Sequence, residues 1–340
     1  MEIFTLGPLS VRVYGLCLAA GCLAALCWLF FRARRSLGEE KLLAFSLLAL
    51  PLGFLLGRLG LCLVSQGWHL FRENYFFNFS RGGFMLYGAL AGVVLAARLV
   101  CRGKGETGRL LDALAAPGML LIAVCRFAEG IIGVGYGRNM EEWFDPWGEF
   151  TFLPLEDPTP LLRFPFGIPD YYGDYHFSIF LLEGLCALIF LLILRRKKAA
   201  VPGAVFLLGL ILYAGAQTTL ESLRADSLPK WGFVRVNQLL SGLVLVGALL
   251  LCTLRLRKAG RPFPLAAWCG LLACMGVILA MEFALEKKIL FLQWMRMDLC
   301  YLVMACASLG LILICARVWK RAYVSKEALR PRASAPVPAP

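Results

Sequence analysis

"LLDALAAPGMLLIAVCRFAEG", Leu110 to Gly130, is an almost purely apolar run that closes on an arginine and a glutamate three residues apart, Arg126 and Glu129. Its length matches the roughly 20 residues that carry a helix across a bilayer. Comparable runs recur along the whole chain of 340 residues, which is 60% hydrophobic with a mean hydropathy of +0.73. A soluble domain holds about 45–50% apolar residues, so this is the sequence of an integral membrane protein. No separate soluble domain stands out. The expected fold is all-α, a polytopic transmembrane bundle of about nine spans.

Those spans run from about Val11 to Phe31, Leu42 to Val64, Gly83 to Val100, Leu110 to Gly130, Phe177 to Leu194, Ala204 to Leu220, Leu239 to Leu254, Leu265 to Met281 and Leu299 to Cys315. An odd number puts the two termini on opposite faces. Basic runs follow the odd-numbered spans: Arg32/Arg34/Arg35, Arg102/Lys104/Arg109, Arg195/Arg196/Lys197/Lys198, Arg255/Arg257/Lys258/Arg261 and Arg317/Lys320/Arg321. Cytoplasmic loops retain positive charge, so the N-terminus is expected outside and the C-terminus in the cytoplasm. Topology and contact with anionic lipid then account for most of the +13 net charge, and no basic and aromatic interleaving suggests nucleic acid. The first span lacks a basic leader and ends in RARR, which reads as a retained helix. The thirteen cysteines form no CxxC pair and no zinc spacing, and read as small apolar packing residues.

On the outer side two segments stand out. Ser65 to Arg81 holds the aromatic run "WHLFRENYFFNFS", which suits a membrane interface, and Arg138 to Tyr175 is a long Pro-, Trp- and acid-rich loop expected to form an ordered cap. Gly53/Gly57 and Gly88/Gly92 are spaced for close approach of the second and third spans. The tail "RPRASAPVPAP" reads as disordered.

Ionisable residues inside spans cost several kcal/mol unless they face a protein interior or a wet cavity. Here they are Arg12, Arg58, Arg126, Glu129, Glu183, Glu221 and Arg224, with Tyr14 and Tyr87 as polar aromatics. All but Glu183 fall toward the outer half of the assigned topology. Arg126 with Glu129, and Glu221 with Arg224, are at i and i+3 and are expected to form two acid and arginine pairs on helix faces. Guanidinium donors left over would chelate an anion such as a lipid headgroup; the alternative is that the pairs staple helices together. The glycines 130, 133, 135 and 137 follow an apolar span and no strand, so they are not a dinucleotide fingerprint.

The blocks "FTLGPLSVRVYGL" (Phe4 to Leu16), "GRLG" (Gly57 to Gly60), "GGFMLYGALAG" (Gly82 to Gly92), "CRFAEGIIGVGYG" (Cys125 to Gly137), "FLLEG" (Phe180 to Gly184) and "LESLR...NQLLS" (Leu220 to Ser241) resemble, in order and spacing, those of the prolipoprotein diacylglyceryl transferase family. The resemblance implies transfer of a diacylglyceryl group from phosphatidylglycerol to the lipobox cysteine of a lipoprotein precursor, at the outer leaflet of the bacterial cytoplasmic membrane. It implies no metal or organic cofactor. The partners it implies are phosphatidylglycerol, or another anionic phospholipid, and the precursor's signal peptide. Carried over by position, Tyr14, Arg126, Gly137, Glu221 and Arg224 would bind substrate, and Gly82, Gly83 and Gly88 match the glycines of the third span.

The departures fall on chemistry. The family's histidine is Tyr87 here, its signature asparagine is Glu129, its signature glutamate is Val134, and an arginine one turn before Glu221 is Gln217. A histidine titrates near ~6.5 and a tyrosine near ~10, so Tyr87 is a weak base. Glu129 is the other candidate catalytic residue, either accepting the thiol proton or merely neutralising Arg126. His176 could replace the missing histidine after a small shift, and His69 lies in the interfacial segment. The expected layout is a transferase-like membrane domain over residues 1–257, two additional helices over 258–322 and a tail over 323–340. Three functions stay open: the transferase, a catalytically degenerate lipid-binding or regulatory paralogue, and a transferase with another acceptor or headgroup.

Overall fold

A computed structural model describes residues 2–6, 9–66, 76–77, 83–140, 165–169, 173–197, 201–225, 229–231, 234–288 and 295–324. Most of the interfacial segment and of the long loop, with His69, Gly82 and the C-terminal tail, lies outside them. Each of the nine apolar runs is found in a helix: α1 (Val13–Leu37), α2 (Glu39–Gln66), α3 (Leu86–Val100), α4 (Glu106–Ile131), α5 (Ile179–Arg195), α6 (Ala204–Leu223), α7 (Val236–Lys258), α8 (Leu265–Leu285) and α9 (Met297–Tyr323). By length and composition, seven helices among the described residues can cross a membrane; α3, with 15 residues, is a shorter apolar helix.

Some strand accompanies the helices. Among the described residues, three short antiparallel pairs join β1 (Glu2–Leu6) to β2 (Leu9–Arg12), β3 (Gly167–Pro169) to β4 (Tyr175–Phe177) and β5 (Lys230–Trp231) to β6 (Val234–Arg235). The first pair takes Val11, expected to open the first span, into a strand with Thr5 opposite Ser10 and Leu6 opposite Leu9. β-Branched residues tolerate extended backbone, and the helix starts only after Arg12.

Lipid tails are as apolar as the helices, so close backbone approach has to supply much of the association. The four-residue glycine spacing does so between α2 and α3. A Cβ on Gly88 would lie 3.1 Å from the Gly57 Cα and would meet the Leu56 carbonyl, and one on Gly92 would lie 2.7 Å from the Gly53 nitrogen. α1 packs along α4, α4 along α5, and α8 along α9. The central helix is α6: 83% of its most apolar stretch is buried, against 17% for α1.

Polar groups fix α6 in height. At its start, the Asp112 carboxylate on α4 accepts from the Gly203 and Phe206 amides at 2.7 and 2.9 Å, satisfying donors that a helix N-terminus leaves open. Trp319 Nε1 donates to the Ala204 carbonyl at 2.7 Å. Toward its end, Thr218 and Thr219 share the Ser308 hydroxyl of α9 at 2.7 and 2.5 Å, and the Tyr301 hydroxyl donates to the Ser222 carbonyl at 3.3 Å. On α7, the Gln238 amide donates to Glu282 of α8 at 2.7 Å and to the Thr218 carbonyl at 2.8 Å. The last two helices thus share the core of α4 to α7.

Overpacking a backbone contact costs about 1–3 kcal/mol. Gly92→Ala is therefore expected to lower the unfolding midpoint of detergent-solubilised protein. Gly247→Ala, with nothing within 4 Å of its Cβ, leaves that midpoint unchanged or raises it.

Candidate active site

The helices alternate in direction, so the ends of α4 and α6 meet the starts of α1, α3, α5 and α7. At that level α4 carries Arg126 and Glu129, α5 carries Glu183, and α6 carries Gln217 and Glu221 with Arg224 just beyond its end. Basic residues close α1, α3, α5, α7 and α9 at the opposite end.

Arg126 donates through Nη1 to both oxygens of Glu129 at 2.9 and 3.0 Å, and its Nε lies 3.3 Å from Glu183 Oε2. Arg224 Nη1 reaches Glu129 Oε2 at 3.0 Å and Glu183 Oε2 at 2.8 Å. Two guanidiniums therefore share two carboxylates across three helices. Burial makes the sharing necessary: Arg224 is 3% and Glu183 1% exposed, and an isolated ion there would carry a desolvation cost of several kcal/mol.

One expected pairing is corrected. Arg126 and Glu129 do pair along their own helix, but Glu221 is held by Gln217 Nε2 at 2.8 Å and Asn237 Nδ2 at 3.1 Å, while Arg224 turns to α4 and α5. Helix α6 ends at Leu223, and Arg224 has extended backbone with φ −71° and ψ 141°. The i, i+3 geometry that would face it toward Glu221 is therefore absent. Glu221 reaches the arginines indirectly, since Gln217 Nε2 also donates to Glu183 Oε1 at 2.9 Å.

Gly137 makes backbone contacts here. Past the end of α4 the chain reverses through Gly133 and Gly135, with φ of 72° and 81°, a region that glycine adopts without strain. Gly137 then bridges antiparallel to Arg224 and donates to the Phe177 carbonyl at 2.6 Å. A Cβ on Gly137 would sit 2.7 Å from that of Phe177. The glycine thereby lets the backbone carrying Arg224 lie beside the turn after α4.

The remaining candidates gather around this network. The Tyr87 hydroxyl is 2.6 Å from that of Ser241, and Tyr14 lies within electrostatic reach of Arg126, Glu129 and Arg224. His176 Nδ1 sits 3.0 Å from the Gly137 carbonyl and its ring stacks on Tyr136. Val134 is 40% exposed and brings no polar group. Arg58 is fully buried and donates to the carbonyls of Phe76 at 3.4 Å and Gly83 at 3.1 Å. It therefore fastens the chain between α2 and α3.

The sequence marks Glu183 as a charge within a span but leaves it out of the outer set, and it does not single out Tyr213, which accepts from Arg126 Nη2 at 3.2 Å. Glu183 was findable: it lies in the second turn of α5, at the start of an apolar run, where an acid needs a partner. Tyr213 gave no signal, being one aromatic in the middle of an apolar helix.

A family model described as prolipoprotein diacylglyceryl transferase matches residues 1–254. The chain belongs to that family. Proteins named phosphatidylglycerol–prolipoprotein diacylglyceryl transferase are similar to it. One from Bacillus licheniformis is 28% identical over 271 residues, covering 76% of this chain and 93% of the relative. One from Lactobacillus gasseri is 28% identical over 264 residues, covering 76% and 91%. One from Staphylococcus aureus strain MSSA476 is 27% identical over 267 residues, covering 76% and 90%. Helices α8 and α9 begin after the stretch that the diacylglyceryl transferase model matches.

Removing one partner of a buried ion pair costs about 3–5 kcal/mol, so Glu183→Ala should strongly depress the thermal unfolding midpoint. Lys41 pairs with Glu106 at 2.7 Å with its side chain 42% exposed, and Lys41→Ala should leave that midpoint nearly unchanged.

Proposed function

We propose that this chain transfers a diacylglyceryl group from phosphatidylglycerol to the cysteine thiol of a prolipoprotein, as the names of its relatives describe for them. The observation that carries the reading is the convergence of Arg126 and Arg224, from two helices, on one buried polar site at one end of the bundle. Planar guanidiniums suit a phosphate that gains charge as it leaves. The thiolate sulfur attacks the glyceryl carbon, the carbon–oxygen bond breaks, and glycerol phosphate departs with that electron pair. Arg126 and Arg224 hold the phosphate, Glu221 orients them through Gln217 and Glu183, and Tyr14 and Gly137 line or shape the site. Glu129 and Tyr87 are the side chains proposed to handle the thiol proton, with no metal or organic cofactor.

The same reading takes nine spans in a bacterial cytoplasmic membrane, N-terminus outside and C-terminus inside, with the site in the outer leaflet. The basic closing turns of α1, α3, α5, α7 and α9 support it. A transferase-like domain would occupy residues 1–257, the added helices 258–322 and a cytoplasmic tail 323–340. A membrane-impermeant protease should remove an N-terminal tag, and spare a C-terminal one, on intact cells; the reverse pattern would overturn the orientation.

A second reading, a lipid-binding paralogue without catalysis, is favoured by the engagement of Glu129 with both arginines and of Tyr87 with Ser241. Transfer of labelled diacylglyceryl to a lipobox peptide separates the two. The enzyme reading expects product, and expects Arg126→Ala and Arg126→Lys both to reduce it at least about 100-fold, since a point charge does not replace a bidentate fork. Headgroup-dependent thermal stabilisation without product would establish the second reading.

A further inference from the structure

The arginine pair is already neutralised. Arg126 and Arg224 face Glu129 and Glu183, two cations against two anions. The carboxylates differ in how they are held. Glu183 is 1% exposed, and while its Oε2 meets both guanidiniums its Oε1 accepts from Gln217, so it is anchored through both oxygens. Glu129 is 13% exposed, and every hydrogen bond of its side chain goes to a guanidinium. Glu183 therefore backs the arginines from inside, and Glu129 covers them on the more open side.

Glu129 also bridges the two guanidiniums much as a phosphate would, one oxygen taking a donor from each. It sits in the last turn of α4, where the helix dipole disfavours an anion. Its position is thus held by the two cations, Arg126 on its own helix and Arg224 just past α6, against the helix dipole. A headgroup phosphate that took those donors while Glu129 stayed would add a negative charge to a neutral, poorly hydrated cluster.

We propose that Glu129 is a resident counter-anion of the Arg126 and Arg224 pair, and that its carboxylate has to leave both guanidiniums before the phosphate of a phospholipid donor binds. This makes Glu129 a specificity-determining residue that weakens headgroup binding in exchange for keeping the empty site neutral. The inference rests on the reading of the arginines as phosphate ligands, and the test separates the two.

The full chain in detergent micelles is titrated calorimetrically with dioctanoyl phosphatidylglycerol, with glycerol 1-phosphate and with neutral dioctanoylglycerol. Glu129→Gln and Glu129→Asn keep a polar side chain without charge. Both are expected to bind phosphatidylglycerol and glycerol 1-phosphate about tenfold or more tightly than the unaltered chain, with dioctanoylglycerol unchanged. Glu129→Asp keeps the charge and should not tighten binding. Arg126→Ala should lose the phosphate-dependent part of the affinity. If Arg126→Ala binds phosphatidylglycerol normally, the phosphate-ligand reading fails. If Arg126→Ala loses binding while Glu129→Gln binds no tighter, that reading stands and the counter-anion proposal is overturned. Equal tightening toward dioctanoylglycerol would also overturn it, since charge would then not be the cause.

Discussion

Two arginines held inside a bundle of apolar helices must share their charge with carboxylates, and that requirement organises the rest of this molecule. Arg224 and Glu183 are almost wholly withdrawn from solvent, where an unpaired charge carries a desolvation cost of several kcal/mol. Pairing them with Arg126 and Glu129 obliges the end of α4, the start of α5 and the end of α6 to meet at one level. The turn through Gly133 and Gly135 and the bridge from Gly137 to Arg224 are what make that meeting sterically possible.

Much of the remaining architecture fixes the height and rotation of α6. Asp112 and Trp319 hold its beginning, while Ser308 and Tyr301 hold its later turns. Three of those four side chains, Trp319, Ser308 and Tyr301, belong to α9, beyond the stretch shared with the family. Helices that look additional in sequence are therefore part of the wall behind Gln217 and Glu221. Between α2 and α3 the constraint is simpler, since glycines remove the side chains that would keep two backbones apart.

Much of the fold was legible because a bilayer imposes a length and a polarity on whatever crosses it. The nine apolar runs declare themselves by that rule alone, and Gly88 and Gly92 by their spacing opposite Gly53 and Gly57. The strand pair before α1 was not legible, because Val11 continues an apolar pattern that helix and strand share over so short a stretch. Of the site, Arg126, Glu129, Glu221 and Arg224 were visible as charges in apolar surroundings. Glu183 was visible in the same way but could not be given partners.

By itself, then, the sequence determined that helices form, roughly where they end, and which charges must find company within them; hydrophobicity and local spacing suffice for each. Tertiary structure alone decided which charges meet. The i, i+3 rule describes a single continuous helix, and Arg224 lies one residue past the end of its own, so its partners are chosen by packing between helices. That same packing put Glu129 across both guanidiniums, where an asparagine would leave the four-residue cluster with one positive charge in excess.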